Sequence, residues 1–180
     1  LTDGQKIQPN AQLGDEIRTR LYPPAAYGRM AAQTAKQVII QRLREAERDT
    51  IYKEYKDKEG TILNGTIQRV EGRMVFVDLG HATALLPPPD QIAGEQYLPG
   101  QRVKVFLASV NATSKGPELV VSRAHPEMVR LLFRLEVPEI ASGAVEIKAI
   151  AREAGFRTKV AVTSHERNVD PVGSCVGQRG

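Results

Sequence analysis

Hydrophobic and polar residues change their period twice along this chain, and the changes divide it into three parts. From about Ala25, the apolar positions Ala31, Ala35, Ile39, Leu43 and Ala46 recur every three or four residues. That spacing is one stripe of a long helix, with Arg42, Glu45, Glu47 and Arg48 on its other faces. Upstream, Tyr22-Pro23-Pro24 bars a helix from running through, because proline lacks an N–H and biases the residue before it away from the α region. Thr2-Asp3-Gly4 and Leu13-Gly14-Asp15 are turn signals. After Asp49 the run IYKEYKDKEG is rich in charge, with Ile51, Tyr52 and Tyr55 alone to bury. It is expected to be the solvated end of the helix, a semi-rigid connector.

Between residues 60 and 124 the period falls to two. TILNGTIQRV, RMVFVDLG, ATALL, RVKVFLASV and ELVVSR alternate apolar with polar and are separated by turn residues, the pattern of half-buried strands. Five such runs without helical spacing between most of them predict a small closed barrel. Alternation turns Val75, Val77, Leu79, Val103, Val105 and Leu107 inward. It turns Met74, Phe76, Asp78, Arg102, Lys104 and Phe106 outward. An outward aromatic on the second strand with cations nearby is how an OB-fold holds single-stranded nucleic acid, bases stacking on the ring while Lys and Arg follow the phosphates. The same aromatics suit cover by a neighbouring domain, and both readings of Phe76 and Phe106 stay open.

From residue 125 helical spacing returns. Met128, Leu131, Leu132 and Leu135 predict a helix of about three turns that opens near Pro126 and stops before Pro138. VEIKAIARE and RTKVAVTS then predict a hairpin turning at Ala154-Gly155, with Val145, Ile147, Ala149 and Ala151 on one face. Asp170 is a good N-cap and Pro171 suits the first helical position, so a short helix begins there. It breaks at Gly177-Gln178-Arg179-Gly180, where glycine lets main-chain N–H groups approach a phosphodiester and Arg179 adds charge. With 15 glycines in 180 residues, about one G-x-x-G arises by chance, so context decides. The order helix, strand, strand, short helix, loop matches the first half of a type II KH module, whose second helix and third strand would follow Gly180.

Composition narrows the picture. The hydrophobic share is 41% and the charged share 26%, which argue for folded modules rather than wholesale disorder. No apolar run approaches the roughly 20 residues of a membrane span, and Leu1 in place of Met suggests a piece of a longer protein. A cytoplasmic location is expected, because the one cysteine, Cys175, cannot form an internal disulfide. His81, His125 and His165 lie too far apart for zinc-like spacing, and neither a metal nor a cofactor is expected. Net charge is +4, spread as +2, +1 and +1 over residues 1–59, 60–124 and 125–180. That is compatible with an anionic partner without demanding one.

The phrases YGRMAAQTAKQVIIQRLREAERD, HPEMVRLLFRLEVPEI, VEIKAIAREAG and DPVGSCVGQRG, set in this order around the barrel, resemble the NusA family of bacterial transcription elongation factors over residues 15–180. The resemblance implies an α+β multi-domain protein. Residues 1–59 would be the end of a polymerase-binding N-terminal domain with its connector helix, 60–124 a five-stranded OB barrel of the S-one type, and 125–180 half of a KH module. It implies a non-enzymatic, monomeric factor of pausing, termination and antitermination. Its partners would be nascent single-stranded RNA, RNA polymerase and other antitermination factors, with no membrane involved. The family's KH loop falls on Gly177, Gln178, Arg179 and Gly180. On the barrel the candidates for RNA are Arg73, Phe76, Arg102, Lys104 and Arg123. Arg73 and Pro87 stand where such barrels carry a second aromatic and a histidine, and Pro87-Pro88-Pro89-Asp90 stands where the family often has basic residues.

Three other readings compete. KH and OB modules also sit together at the tail of polynucleotide phosphorylase, in the reverse order. Cys175 with His165 could in principle form a nucleophilic pair, though a cysteine inside a short helix has no paired-base logic. A scaffold without RNA contact is compatible with the modest charge.

Overall fold

The computed structural model describes residues 8–10, 12–18, 22 and 24–178, so Thr2-Asp3-Gly4, Arg179 and Gly180 lie outside the described residues. The chain forms two compact units, Leu1–Arg44 and Glu45–Gly180. In the first, Gly14 (φ +105°) turns the chain as predicted, and Asp15 accepts from the Gln12 N–H at 2.8 Å. Helix α1 (Ala25–Lys56) starts directly after Pro24, and its apolar residues Met30, Val38, Ile39 and Leu43 are exposed.

In the second unit, strands β1 (Ile62–Glu71), β2 (Met74–Asp78), β3 (Thr83–Leu86), β4 (Arg102–Thr113) and β5 (Gly116–Ser122) close a barrel in the order β1-β2-β3-β5-β4. The β3–β5 pairing is parallel and the others antiparallel. Val75, Val77, Val103, Val105 and Leu107 fill the interior as their alternation predicts, with Ile67, Leu86, Val110, Leu119 and Val121. Closure is tight at Gly65, where a Cβ would stand 2.4 Å from Val77 Cγ1. Only glycine lets β1 come this close to β2.

The charged run after Asp49 is the end of the helix, as expected, but it is not a solvated connector. Helix α1 continues through it, and Tyr55, 2% exposed, joins the barrel core with Ile51 and Tyr52 packed beside it. The Tyr55 hydroxyl donates to the Leu79 carbonyl at 3.1 Å and accepts from the His81 N–H at 3.3 Å. A phenol can enter an apolar core when its oxygen finds such partners. The last turn of α1 is therefore a lid on one end of the barrel rather than a solvated connector.

Helix α2 (Pro126–Glu136) is capped by His125, whose Nδ1 accepts from the Glu127 N–H at 3.1 Å. Pro138 does not simply end the helical region. It opens a second short helix, α3 (Pro138–Ser142), which stops at Gly143 in the left-handed region (φ +87°). Strands β6 (Val145–Glu153) and β7 (Arg157–Ser164) form the predicted hairpin, and α4 (Pro171–Val176) follows. The register shifts between Ile147 and Ala149. This bulge exposes Ala149 and Ala151 and half-buries Ile150 and Arg152, reversing the faces expected beyond Lys148.

Candidate nucleic-acid interface

The two sequence-predicted candidate regions lie on separate modules. On the KH half, the Asp170 carboxylate accepts from the Val172 N–H at 3.1 Å and starts α4. Gly173 leaves room for that cap, since a Cβ there would stand 2.6 Å from Asp170 Oδ2. The helix ends at Gly177 with φ +72° and ψ −178°, a backbone conformation essentially restricted to glycine. Gly177 and Gln178 are exposed, and a Cβ on Gly177 would meet nothing within 4 Å. The main chain here is open to a large ligand. Cys175 lies half-buried inside α4, where burial and then the charge of Glu139 push its thiol up. His165 is taken by Glu146 at 2.8 Å. Neither residue is set up as a nucleophile or its base.

On the barrel, Arg102 and Lys104 line a groove of about 720 Å³ with Asn64, Thr66, Asp78 and Gly80. The register explains the grouping: Thr66 on β1 pairs with Arg102 on one side and Asp78 on the other, and Asn64 pairs with Lys104. Lys104 is loosely paired with Glu136 at 3.7 Å. Asp78 holds the β2–β3 turn by accepting from the Gly80 N–H at 2.8 Å, and it sets a negative charge beside the two cations. Arg73 is exposed at the β1–β2 turn.

Phe76 lies on the outer face, half-buried, with the Arg69 guanidinium 3.9 Å above its ring centroid. Arg69 was absent from the sequence-derived set. The β1–β2 register slips between Ile67 and Arg69, and this bulge places Arg69 opposite Phe76. Strict alternation from Ile67 would have sent the guanidinium into the barrel interior, which its charge forbids. That contradiction was the available signal.

Two outward residues are spoken for by the fold. Phe106 is 6% exposed and stacks on His125, with centroids 4.5 Å apart and planes 19° from parallel. It is a junction residue, covered by the module that follows. The Arg123 fork grips Glu95 through two bonds, Nε to Oε2 at 2.8 Å and Nη2 to Oε1 at 2.7 Å, and donates to the Lys104 carbonyl. Its side chain is 16% exposed and that of Glu95 22%. The charge is neutralised within the fold. Next to this pair, Arg152 donates to the His125 carbonyl at 2.9 Å. Burial and then the charge of Arg123 lower the pKa of its guanidinium. Gly155, at the tip of the β6–β7 hairpin, rests on the loop after β3, where a Cβ would stand 2.4 Å from Ile92 Cγ2. Barrel and KH half are thereby joined by the Phe106–His125 stack, the Lys104–Glu136 pair and the backbone contact at Gly155.

A closed barrel of OB connectivity joined to a helix–hairpin–helix that ends in an open glycine is the architecture of a multi-domain protein built from RNA-binding modules. Residues 1–49 match the NusA N-terminal domain, 56–122 the S1 RNA binding domain and 123–180 the NusA-like first KH domain. The chain is 52% identical, over its whole length, to a transcription termination/antitermination protein NusA from Thermus thermophilus, of which it covers 46%. It is 47% identical to the protein of that name from Bacillus subtilis, of which it covers 48%, again over its whole length. A third, from Rickettsia prowazekii, is 43% identical, with all of this chain and 36% of the relative aligned. The chain belongs to the NusA family. It spans about half the length of the first two of these relatives.

Proposed function

We propose that this chain is the polymerase-binding and RNA-binding part of a transcription elongation factor that modulates pausing, termination and antitermination. The observation that carries this reading is Gly177, an exposed glycine in a glycine-only conformation at the end of α4. There, backbone N–H groups can meet a phosphodiester without a side chain between them. The loop Gly177-Gln178-Arg179-Gly180 grips the transcript. Arg102 and Lys104 in the barrel groove, with Arg73 and Phe76 on the outer surface, give it a second surface to follow.

Function divides along the segments 1–59, 60–124 and 125–180. The apolar residues Val38, Ile39 and Leu43, exposed on α1, are the anchor for RNA polymerase, and further antitermination factors join that assembly. The protein acts as a monomer in the cytoplasm. It works by position: no bond is made or broken, and no cofactor enters.

Intact protein carrying Gly177→Asp and Gly180→Asp tests this. The added carboxylates repel phosphate, so affinity for single-stranded RNA falls while polymerase binding is retained. Unchanged RNA affinity would sink the reading.

A further inference from the structure

Phe156 is 83% exposed, more than any other aromatic among the described residues. It occupies the tip of the β6–β7 hairpin, where its N–H donates to the Glu153 carbonyl at 3.0 Å and Gly155 takes φ +81°. That turn is not a loose end. The backbone of Gly155 lies against Ile92 and Ala93 of the barrel, close enough that a Cβ would stand 3.1 Å from the Ala93 carbonyl oxygen. The ring is thus held outward on a pinned backbone, with its apolar surface contributing little to the fold.

Its surroundings are basic. Arg157 and Lys159, two residues apart on β7, are both exposed, and their side chains have no ion pair or hydrogen bond among the described residues. They line a shallow depression of about 260 Å³ with Ala151 and Glu153. Glu153 stands opposite Arg157 in the register without pairing with it. The bulge after Ile147 brings Ala149 and Ala151 to this face, where they lie opposite Ala161 and Lys159. The result is a low floor with cations along one side, next to the turn that carries Phe156. Two strand residues span about 6.7 Å, comparable to the step between neighbouring phosphates of an extended strand.

We propose that Phe156, Arg157 and Lys159 form a second single-stranded RNA subsite where the barrel meets the KH half. A base stacks on Phe156, and the adjoining phosphates lie on Arg157 and Lys159. Charge complementarity favours RNA over a protein partner. A protein interface core is depleted of charge and built on several large apolar anchors, whereas this face offers one ring, small alanines and two unpaired cations.

The inference rests on the RNA-binding reading of the KH loop, and the test separates the two. Intact protein is titrated with single-stranded RNAs of about four nucleotides, enough for a KH loop, and of about twelve, enough to reach a second site. Phe156→Ala weakens binding of the longer RNA by about tenfold and leaves the shorter unchanged. Phe156→Tyr restores it. Arg157→Gln with Lys159→Gln lowers the salt slope for the longer RNA by about 1.4, at about 0.7 per phosphate contact. Gly177→Asp weakens both RNAs.

If Phe156→Ala leaves the longer RNA unaffected while Gly177→Asp weakens it, the second subsite is overturned and the KH reading stands. If neither variant weakens either RNA, both fall. Unaffected RNA binding with loss of a crosslink from position 156 to polymerase would place a protein on this face instead. Circular dichroism and the unfolding midpoint of Phe156→Ala stay at wild-type values, because the ring is solvent-exposed.

Discussion

His125 stacks on Phe106 while its Nδ1 caps α2, so one imidazole closes the barrel's outer face and starts the next module. Stacked aromatic pairs contribute about 1 kcal/mol beyond area burial, and N-caps typically about 1. His125→Ala is therefore expected to destabilise by about 2 kcal/mol, read from the urea midpoint. His125→Asn, which keeps a cap acceptor, should recover about half of that. Equal losses in both variants would mean the cap contributes nothing.

Tyr55 gives a second stability prediction, on the lid. Tyr55→Phe removes the bonds to Leu79 O and from His81 N but keeps the ring, at a cost of about 1–2 kcal/mol. Tyr55→Ala opens a cavity at the barrel end and costs about 3–5 kcal/mol. If α1 merely ran past the barrel as a solvated connector, both substitutions would leave the thermal midpoint where it was.

The barrel was legible because β2 and the first half of β4 keep strict two-residue alternation: Val75 and Val77, or Val103, Val105 and Leu107, announce one interior. Legibility failed where the period slips or where the decisive partner lies far away in sequence. The bulges after Ile67 and Ile147 each move a residue to the other face, which brought Arg69 to Phe76 and turned Ile150 inward. Alternation placed Phe106 outside the barrel correctly, but its cover comes from His125. Arg123 read as a surface cation because Glu95, which holds it, sits in a loop with no periodic signal. The lid was legible only in part: Ile51, Tyr52 and Tyr55 stood out as the residues to bury, but Lys53, Glu54, Lys56 and Asp57 around them made the turn read as solvated.

Acid should loosen the unit in a defined direction. The Glu54 carboxyl is held below its usual range by His81 and then Lys58, Glu59 by Lys56 and then the Val110 N–H, and Glu146 by Lys148 and then His165. Each folded pKa lies under the unfolded one. The stability they contribute is thus present above the unfolded carboxylate range and lost as pH falls through the folded values. Urea midpoints are expected to hold from neutrality to about pH 5 and to decline below it. Glu59→Gln should make that decline shallower. A decline of unchanged steepness would show that the Lys56–Glu59–Val110 link has no weight.

At Gly65 the ordinary rule for glycine in a strand reverses sign. Replacing strand glycine by alanine usually stabilises, by roughly 0.5–1 kcal/mol. Here the new methyl would meet Val77 Cγ1 at 2.4 Å, Leu79 Cδ2 at 3.1 Å and the Asp78 carbonyl oxygen at 3.2 Å. Overpacking of this kind costs about 1–3 kcal/mol. Gly65→Ala is expected to lower the thermal midpoint, and a midpoint that rises would mean the barrel is looser at this seam than its packing implies.

Arg123 and the pair Arg102 and Lys104 were all candidates for RNA, and their surroundings predict opposite phenotypes. Arg123 is forked onto Glu95, with both side chains largely covered. Arg123→Gln leaves a mostly buried carboxylate without its partner and should cost about 1–3 kcal/mol of stability. It should leave the salt dependence of RNA binding unchanged, because no phosphate contact is lost. Arg102 and Lys104 line an open groove, where Lys104 has only a long 3.7 Å pairing to Glu136. Surface pairs of that kind contribute between nothing and about 1 kcal/mol, so Arg102→Gln with Lys104→Gln should barely move the unfolding midpoint. If each cation meets one phosphate, the double variant lowers the slope of log affinity against log salt by about 1.4. The measurement is a salt series of RNA titrations on intact protein, with the unfolding midpoint taken on the same samples. A slope that drops for Arg123→Gln and not for the groove pair would reverse the assignment and move the RNA path toward the Glu95 loop.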